Sequence, residues 1–190
     1  MEKLIEELKN YQPFNEQEEK DRALMLEIIR NTPDVLLRSS LSYHFTASAW
    51  VMNESMDKVL MAYHNIYDSW AWLGGHADGN SNLLSVAKKE ANEESGISNL
   101  KRLNDGKLFS LEILPVSGHE KKGEYLSSHL HLNLTYAFVA DETDEIRIKA
   151  DENSAVGWIG FDEIENKSTE KWFVERIYKK LIDKINGYVR

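Results

Sequence analysis

Residues 74–97 read GGHADGNSNLLSVAKKEANEESGI, in which a pair of glycines and a polar loop precede a helix-forming run. The apolar residues before the glycines predict a short strand over residues 70–73. Residues 83–95 have helical spacing, and Gly96 is placed to cap the carboxyl end of that helix. We therefore expect a strand, a glycine loop and a helix in this part of the chain.

The acidic residues of this predicted helix share a face with its small and apolar residues. On a helical wheel, Glu90 and Glu94 fall inside the inward arc and Glu93 lies at its edge; the arc is defined by Leu83, Ala87 and Ala91. Carboxylates that face a core are costly and repel one another unless a cation neutralises them. A solvated helix face with Lys88 and Lys89 as partners is the simpler alternative, but it does not explain the shared sector. Oxygen ligands without Cys or His favour Mg²⁺ first and Mn²⁺ second.

The same stretch resembles the Nudix box. Matching positions occur at the family's spacing without insertion or deletion, at Gly75, Ser81, Lys89-Glu90-Ala91, Glu93-Glu94 and Gly96-Ile97. Ser81 stands where the family has Glu, and Lys89 replaces an Arg, which keeps the charge but loses the bidentate fork. The resemblance implies a Mg²⁺-dependent hydrolase that cleaves a diphosphate linkage in a small molecule, such as a nucleoside diphosphate joined to another group. Because of the two departures, a non-catalytic Nudix-fold module that binds nucleotides is the alternative.

The resemblance also implies roles for individual residues. Three side chains and one backbone carbonyl would hold the metal, those of Glu90, Glu93, Glu94 and Gly74. Glu93 and Glu94 are the expected catalytic acids. Glu152 is a third candidate, because Nudix enzymes often keep an acid just before a strand like the one predicted over residues 156–159. Glu124, in a loop predicted over residues 118–128, competes with Glu152 for that role.

Histidines supply the candidate substrate contacts. Polar and apolar residues alternate along a strand predicted over residues 129–140, which places His129 and His131 on one face. We expect these two residues to bind substrate phosphates or another anion, and His76, beside the glycine pair, to line the same site. A half-exposed strand facing solvent explains the alternation equally well. A zinc site is disfavoured, because two histidines on a strand need a third ligand that the sequence does not indicate.

The resemblance extends to the fold, since the predicted order of strands and helices from about residue 41 to residue 165 matches the Nudix fold. We expect an α/β protein, a Nudix-type α/β/α sandwich whose mixed sheet lies between helix 83–95 and a C-terminal helix over residues 168–186. Residues 1–40 are predicted to form an N-terminal helical extension before a Nudix domain over residues 41–190. Its helices would cover the core or the partner subunit of a homodimer. The N-terminal helices, together with the sequences of residues 42–49 and 74–79, resemble a bacterial Nudix subgroup.

Composition limits the partners. The chain has 190 residues and a net charge of −9, so its average field repels nucleic-acid polymers. It contains no Cys, which excludes disulfides and thiolate zinc sites and disfavours a prenyl diphosphate isomerase of the same fold, whose site calls for a Cys. The sequence has neither a signal-peptide pattern nor an apolar run of membrane-spanning length. We expect a cytoplasmic protein that acts on a small nucleotide or diphosphate and not on nucleic-acid polymers or membranes.

Overall fold

The computed structural model describes residues 1–121 and 123–189. Its helical segments are α1 (Glu2–Asn10), α2 (Glu16–Asn31), α3 (Leu83–Ser95), a 3₁₀ turn (Leu103–Gly106), α4 (Ile164–Lys167), α5 (Lys171–Phe173), a π-helical turn (Val174–Tyr178) and α6 (Lys179–Val189). Its strands are β1 (Tyr43–Met52), β2 (Lys58–His64), β3 (Ser69–Ala71), β4 (Leu73–His76), β5 (Lys101–Arg102), β6 (Ser110–Val116), β7 (His119–Lys121), β8 (Glu124–Leu126), β9 (His129–Val139) and β10 (Asn153–Gly160). None of the helices in these residues has the length and apolar character that a membrane crossing requires.

A mixed sheet forms the centre of the molecule. Strands β10, β2, β1, β9 and β5 lie side by side in that order, and β3, β4 and β6 pair with β2, β1 and β9. The central strands β1 and β9 are parallel, whereas the other pairs described in this sheet are antiparallel. Ala47 of β1 belongs to the buried cluster that includes α3, and Trp50 belongs to the cluster formed with α6 and the π-helical turn. The predicted α/β/α sandwich with a mixed sheet is confirmed.

Helix α3 begins and ends where the sequence predicts. The side-chain oxygen of Asn82 accepts a hydrogen bond from the Ser85 N–H at 3.2 Å, which satisfies one of the free donors of the first turn. Gly96 ends the helix with a φ of 77°, a left-handed conformation that favours glycine. The apolar face is buried and Glu94 is buried with it. The arc predicted for the acids is therefore confirmed for Glu94.

The backbone around the glycine pair differs from the prediction. The single strand expected over residues 70–73 is two strands, because β3 pairs with β2 while β4 pairs with β1. Strand β4 continues through Gly74, Gly75 and His76, so these residues are extended and do not form a loop. A Cβ on Gly74 would lie 2.7 Å from the carbonyl oxygen of Ala47, so this close approach to β1 requires glycine.

Two surface segments also differ from their predictions. The loop expected over residues 118–128 contains an antiparallel hairpin formed by β7 and β8. The C-terminal helix was expected to end before Gly187, but α6 continues to Val189. Gly187 lies inside α6 and does not end it, because a glycine within a helix costs only about 1 kcal/mol relative to alanine.

The N-terminal helices pack against the sheet. Leu4 and Leu8 of α1 and Met25 of α2 belong to the same buried cluster as α3. Asn15 followed three residues later by Glu18 is a capping-box pattern that predicts the start of a helix. The side chain of Asn15 does cap α2, by accepting the Glu18 N–H at 3.0 Å. The Glu18 side chain is fully buried and makes contacts that the capping pattern does not indicate.

Glu18 belongs to a buried charge network between α2, β6 and α6. Its Oε1 lies 2.8 Å from Nζ of Lys184 and 3.2 Å from Nζ of Lys180. Lys180 also contacts Glu112 at 2.9 Å, and Glu112 accepts hydrogen bonds from two polar side chains of β9. Burial opposes the ionisation of Glu18, but the two lysines outweigh it and lower the pKa of this residue to about 2. These buried acids are compensated by cations.

Candidate active site

The junction between β4 and α3 brings together three of the predicted metal-site residues. The Gly74 N–H donates to Oε2 of Glu94 at 3.0 Å. A Cβ on Gly75 would lie 2.5 Å from Cδ of Glu90, so any larger residue would push this carboxylate away from its place beside the strand. The two glycines therefore have separate steric roles, one against β1 and the other against α3.

Glu94 is the most unusual ionisable group at this junction. Its exposed fraction is 7%, and burial raises its pKa to about 8. The hydrogen bond from Gly74 opposes that shift, while the charges of Glu90 and Glu152 reinforce it. A bound cation would stabilise the ionised form of these carboxylates and so lower the pKa of Glu94. Their donor atoms are all oxygens, which fits a hard divalent ion.

Lysines lie at the rim of the carboxylate cluster. Lys89 contacts Glu90 at 3.1 Å and Glu93 at 3.0 Å. Lys149 lies 3.0 Å from Glu152 and 3.9 Å from Glu93. Lys89 thus holds two of the acids in place from the position where the Nudix box has Arg.

Glu152 is held near helix α3 by its neighbour. The Asn153 side chain, at the start of β10, donates a hydrogen bond to the carbonyl oxygen of Glu94 at 2.9 Å. The side chains of Glu93 and Glu152 are 40% and 42% exposed, so both can reach water. Glu124, the competing candidate, lies exposed on the hairpin strand β8.

Arg38 is a charged group at this site that sequence reasoning missed. Its guanidinium binds the Asp78 carboxylate in a two-point contact at 2.7 and 2.6 Å. Asp78 has a φ of 45°, a left-handed conformation that Asp tolerates better than most residues. The charges of Asp78, Glu90 and Glu152 all raise the pKa of Arg38, so this cation lies within electrostatic reach of the carboxylates.

The predicted substrate histidines converge with a histidine that the sequence analysis did not select. His44 on β1 lies opposite His131 on β9, and its ring centroid is 5.0 Å from that of His131 and 5.1 Å from that of His129. The His76 ring is 5.0 Å from His44 and 4.9 Å from His131. Burial, reinforced by the neighbouring histidines, lowers the pKa of His131 to about 2. The alternation along β9 therefore reflects a histidine cluster and not a strand open to solvent.

A family model decides the relationship of this chain to known proteins. The NUDIX domain model matches residues 42–181. The chain belongs to the Nudix family. The expectation of a Nudix-type pyrophosphohydrolase is thereby confirmed at the level of the family, whose members act on small nucleotide derivatives and use divalent metal ions.

Solved structures share the fold of this Nudix protein but little of its sequence. An Ap4A hydrolase from C. elegans, in a binary complex, matches with a TM-score of 0.54 and 15% identity over 76% of this chain and 96% of that chain. A NUDIX family hydrolase from Clostridium perfringens matches with a TM-score of 0.51 and 20% identity over 75% of this chain and 97% of that chain. The dihydroneopterin triphosphate pyrophosphohydrolase of E. coli matches with a TM-score of 0.53 and 13% identity over 73% of this chain and 95% of that chain. None of the curated protein sequences compared with this Nudix protein matches it.

Proposed function

We propose that this Nudix protein is a cytoplasmic, Mg²⁺-dependent pyrophosphohydrolase that cleaves a diphosphate linkage in a small nucleotide derivative, with Mn²⁺ as a substitute metal. The observation that carries the proposal is the position of Glu94, which is buried against Gly74. Its neighbour Glu90 lies against Gly75. The ion pairs within the described residues do not include Glu94. A buried acid without a cationic partner is costly, and a divalent ion would stabilise it.

The chain's residues divide the work. Glu90, Glu94 and the Gly74 carbonyl would hold the ion on the buried side, and Glu93 would hold it on the exposed side. When bound, Mg²⁺ supplies charge neutralisation for the phosphates and lowers the pKa of water at the site. Glu93 and Glu152 have solvent access and would accept the proton of the attacking water.

Cations and histidines near the carboxylates would bind the substrate. Arg38 carries a planar guanidinium that suits phosphate oxygens, and it lies within electrostatic reach of Glu90. His76 follows the glycine pair directly on β4, which supports its predicted contact with substrate. His129 and His131 adjoin it and would line the same side.

The test is a Mg²⁺ titration of thermal stability combined with hydrolysis assays. The substrate panel includes nucleotide sugars, ADP-ribose, and the compounds named in two of the similar structures, Ap4A and dihydroneopterin triphosphate. We expect Mg²⁺ to raise the Tm of the native chain and to be required for release of phosphate products. Glu94→Gln keeps the side-chain shape and removes the charge, so both responses should fall together, with turnover reduced roughly 100-fold or more.

The matched control is Glu165→Gln, which makes the same chemical change in a side chain that is 70% exposed. The control should keep the Mg²⁺ response and the turnover. Binding of nucleotides without any hydrolysis across the panel would favour the non-catalytic module. A Mg²⁺ response that survives in Glu94→Gln would contradict the proposed metal site.

A further inference from the structure

A cluster of three histidines lies where the central strands β1 and β9 begin, beside β4. We infer that His44, His129 and His131 form a second metal site, which binds a transition-metal ion of the Zn²⁺ class. This site is separate from the carboxylates of α3 and does not depend on the proposed hydrolysis. Its ligands come from β1 and β9, which the parallel pairing of these strands brings together.

The spacing of the nitrogen atoms fits one ion. One ring nitrogen from each histidine lies within 4.8 Å of the other two. Nε2 of His129 and Nε2 of His131 are 3.2 Å apart. Two nitrogens bound tetrahedrally to one zinc ion at 2.0–2.1 Å are separated by about 3.3 Å. This pair is hydrogen-bonded and already has the separation of two ligands. The third nitrogen would have to move by at most about 1.5 Å, the difference between 4.8 Å and about 3.3 Å, to reach the same separation.

Two of the rings are oriented by backbone carbonyls. Nδ1 of His44 lies 3.0 Å from the Ser40 oxygen, and Nδ1 of His129 lies 2.9 Å from the Ser127 oxygen. Since a carbonyl oxygen can only accept, each Nδ1 is the donor, and Nε2 is the nitrogen that can bind a metal. Contacts of this kind fix the ring orientation of metal-binding histidines in other proteins.

The strongest observation is the state of His44. His44 is only 5% exposed, and its Nε2 is buried without a hydrogen-bond partner among the described residues. Leaving a buried polar atom unsatisfied costs about 1–3 kcal/mol, and a metal ion bound there would satisfy it. This atom belongs to the residue that lies opposite His131 in the strand register.

The ligand set determines which ion fits. Imidazoles suit Zn²⁺ and its neighbours Co²⁺, Ni²⁺ and Cu²⁺, whereas Mg²⁺ prefers oxygen ligands. Three protein ligands leave a fourth position open, as in catalytic zinc sites. The His76 ring borders the cluster but is not one of the three ligands, and it follows the glycine pair that contacts the carboxylates. An ion at the histidines would thus lie beside the proposed diphosphate site.

The experiment uses the untagged full-length chain, stripped of metal and kept in excess Mg²⁺ so that the carboxylates are occupied. Equilibrium dialysis against Zn²⁺ gives affinity and stoichiometry, and the visible absorption of bound Co²⁺ reports nitrogen coordination. We expect about one Zn²⁺ per native chain. His131→Gln and His129→Gln should weaken binding roughly 100-fold or more and abolish the Co²⁺ spectrum. His76→Gln should retain binding within a few fold.

Controls separate this site from the proposed hydrolase site. His64→Gln removes a histidine that stacks on Tyr67 at 4.4 Å on a different strand, and it should bind Zn²⁺ like the native chain. Glu94→Gln should lose the Mg²⁺ response but retain Zn²⁺. His129 is only partly buried, so His129→Gln remains informative if His131→Gln does not fold. The inference is overturned if the native chain binds no Zn²⁺, if the histidine variants retain it, or if Glu94→Gln loses it.

Discussion

Two buried glutamates in this Nudix protein have opposite electrostatic surroundings. Glu18 is fully buried, but Lys180 and Lys184 outweigh the effect of burial and lower its pKa to about 2. Glu94 is nearly as buried, and burial raises its pKa to about 8. The first carboxylate is neutralised by the fold itself. The second carries a cost that the chain alone does not remove, which is the difference expected between a structural acid and an acid that awaits a cation.

The largest expected effect comes from making Glu18 resemble Glu94. Lys180→Met removes the cation that contacts both Glu18 and Glu112 while keeping most of the side-chain volume. Breaking a buried pair leaves charges uncompensated, so the free energy of unfolding should fall by about 3–5 kcal/mol. Urea denaturation at pH 7 measures the change. Lys179→Met, at a neighbouring lysine that is 50% exposed, is the control and should change stability by less than about 1 kcal/mol.

The second prediction concerns the pH dependence of the metal-free protein. Glu94 has a folded-state pKa of about 8 against an ordinary value of 4.5, so the folded chain holds this proton over a range in which the unfolded chain releases it. Its contribution to stability should therefore be present below about pH 4.5 and be lost as pH rises towards 8, by an amount on the order of 5 kcal/mol.

The measurement is the difference between the native chain and Glu94→Gln in urea denaturation with a chelator at several pH values. The variant cannot ionise at this position, so its advantage over the native chain should grow from pH 5 to pH 8. Saturating Mg²⁺ should shrink that advantage. A constant difference across this pH range would show that Glu94 ionises normally and would remove the contrast with Glu18.

The third prediction tests whether Arg38 acts on substrate or only on Asp78. The pair is exposed, with side-chain exposures of 51% and 53%, so Arg38→Gln should cost at most about 1 kcal/mol of stability. Loss of a guanidinium that binds phosphate should raise KM about tenfold, which corresponds to about 1.4 kcal/mol. Steady-state kinetics measure this change, and Arg30→Gln on the exposed face of α2 is the control. Equal KM values for the two variants would confine Arg38 to its contact with Asp78.

The smallest effect is expected at Lys89, which is 60% exposed. Lys89→Arg restores the residue that the Nudix box has at this position and keeps the charge beside Glu90 and Glu93. The stability change should stay within about 0.5 kcal/mol, because exposed ion pairs contribute little. Turnover should change by no more than a few fold, since the acids are already held in place. A large gain in turnover would mean that Lys89 holds the acids poorly.

The sequence predicted those parts of the site that depend on local spacing. Helical periodicity placed Glu94 on the buried face of α3, and the positive φ of Gly96 follows from a local capping pattern. The roles of His44 and Arg38 could not be predicted in this way. His44 meets His131 only because β1 and β9 pair in parallel, and Arg38 meets Asp78 from 40 positions away in the sequence. Such contacts depend on register between distant segments, which periodicity does not encode.

Glu18 is a second residue whose contacts a local sequence pattern predicts only in part. Its position three residues after Asn15 predicted a capping contact, and the backbone half of that contact is present. The Glu18 side chain also reaches back to the start of the helix, where its Oε2 accepts the Phe14 N–H at 2.7 Å, but its Oε1 lies 2.8 Å from Nζ of Lys184, a residue near the other end of the chain. A short-range pattern can therefore be right about a helix end and uninformative about the distant partners of a charged side chain.

The parallel pairing of β1 with β9 has a consequence for how the chain folds. Residues that meet across it, such as Thr46 and Asn133, are 87 positions apart in the sequence. Closing so long a loop costs entropy before any contact rewards it, so the centre of the sheet should form late and slowly. Strand β1 contributes to both sites, because it pairs with the β4 glycines of the carboxylate junction and carries His44 of the histidine cluster. A partly synthesised chain that ends before β9 therefore lacks the histidine cluster, which is completed only when the two central strands have joined.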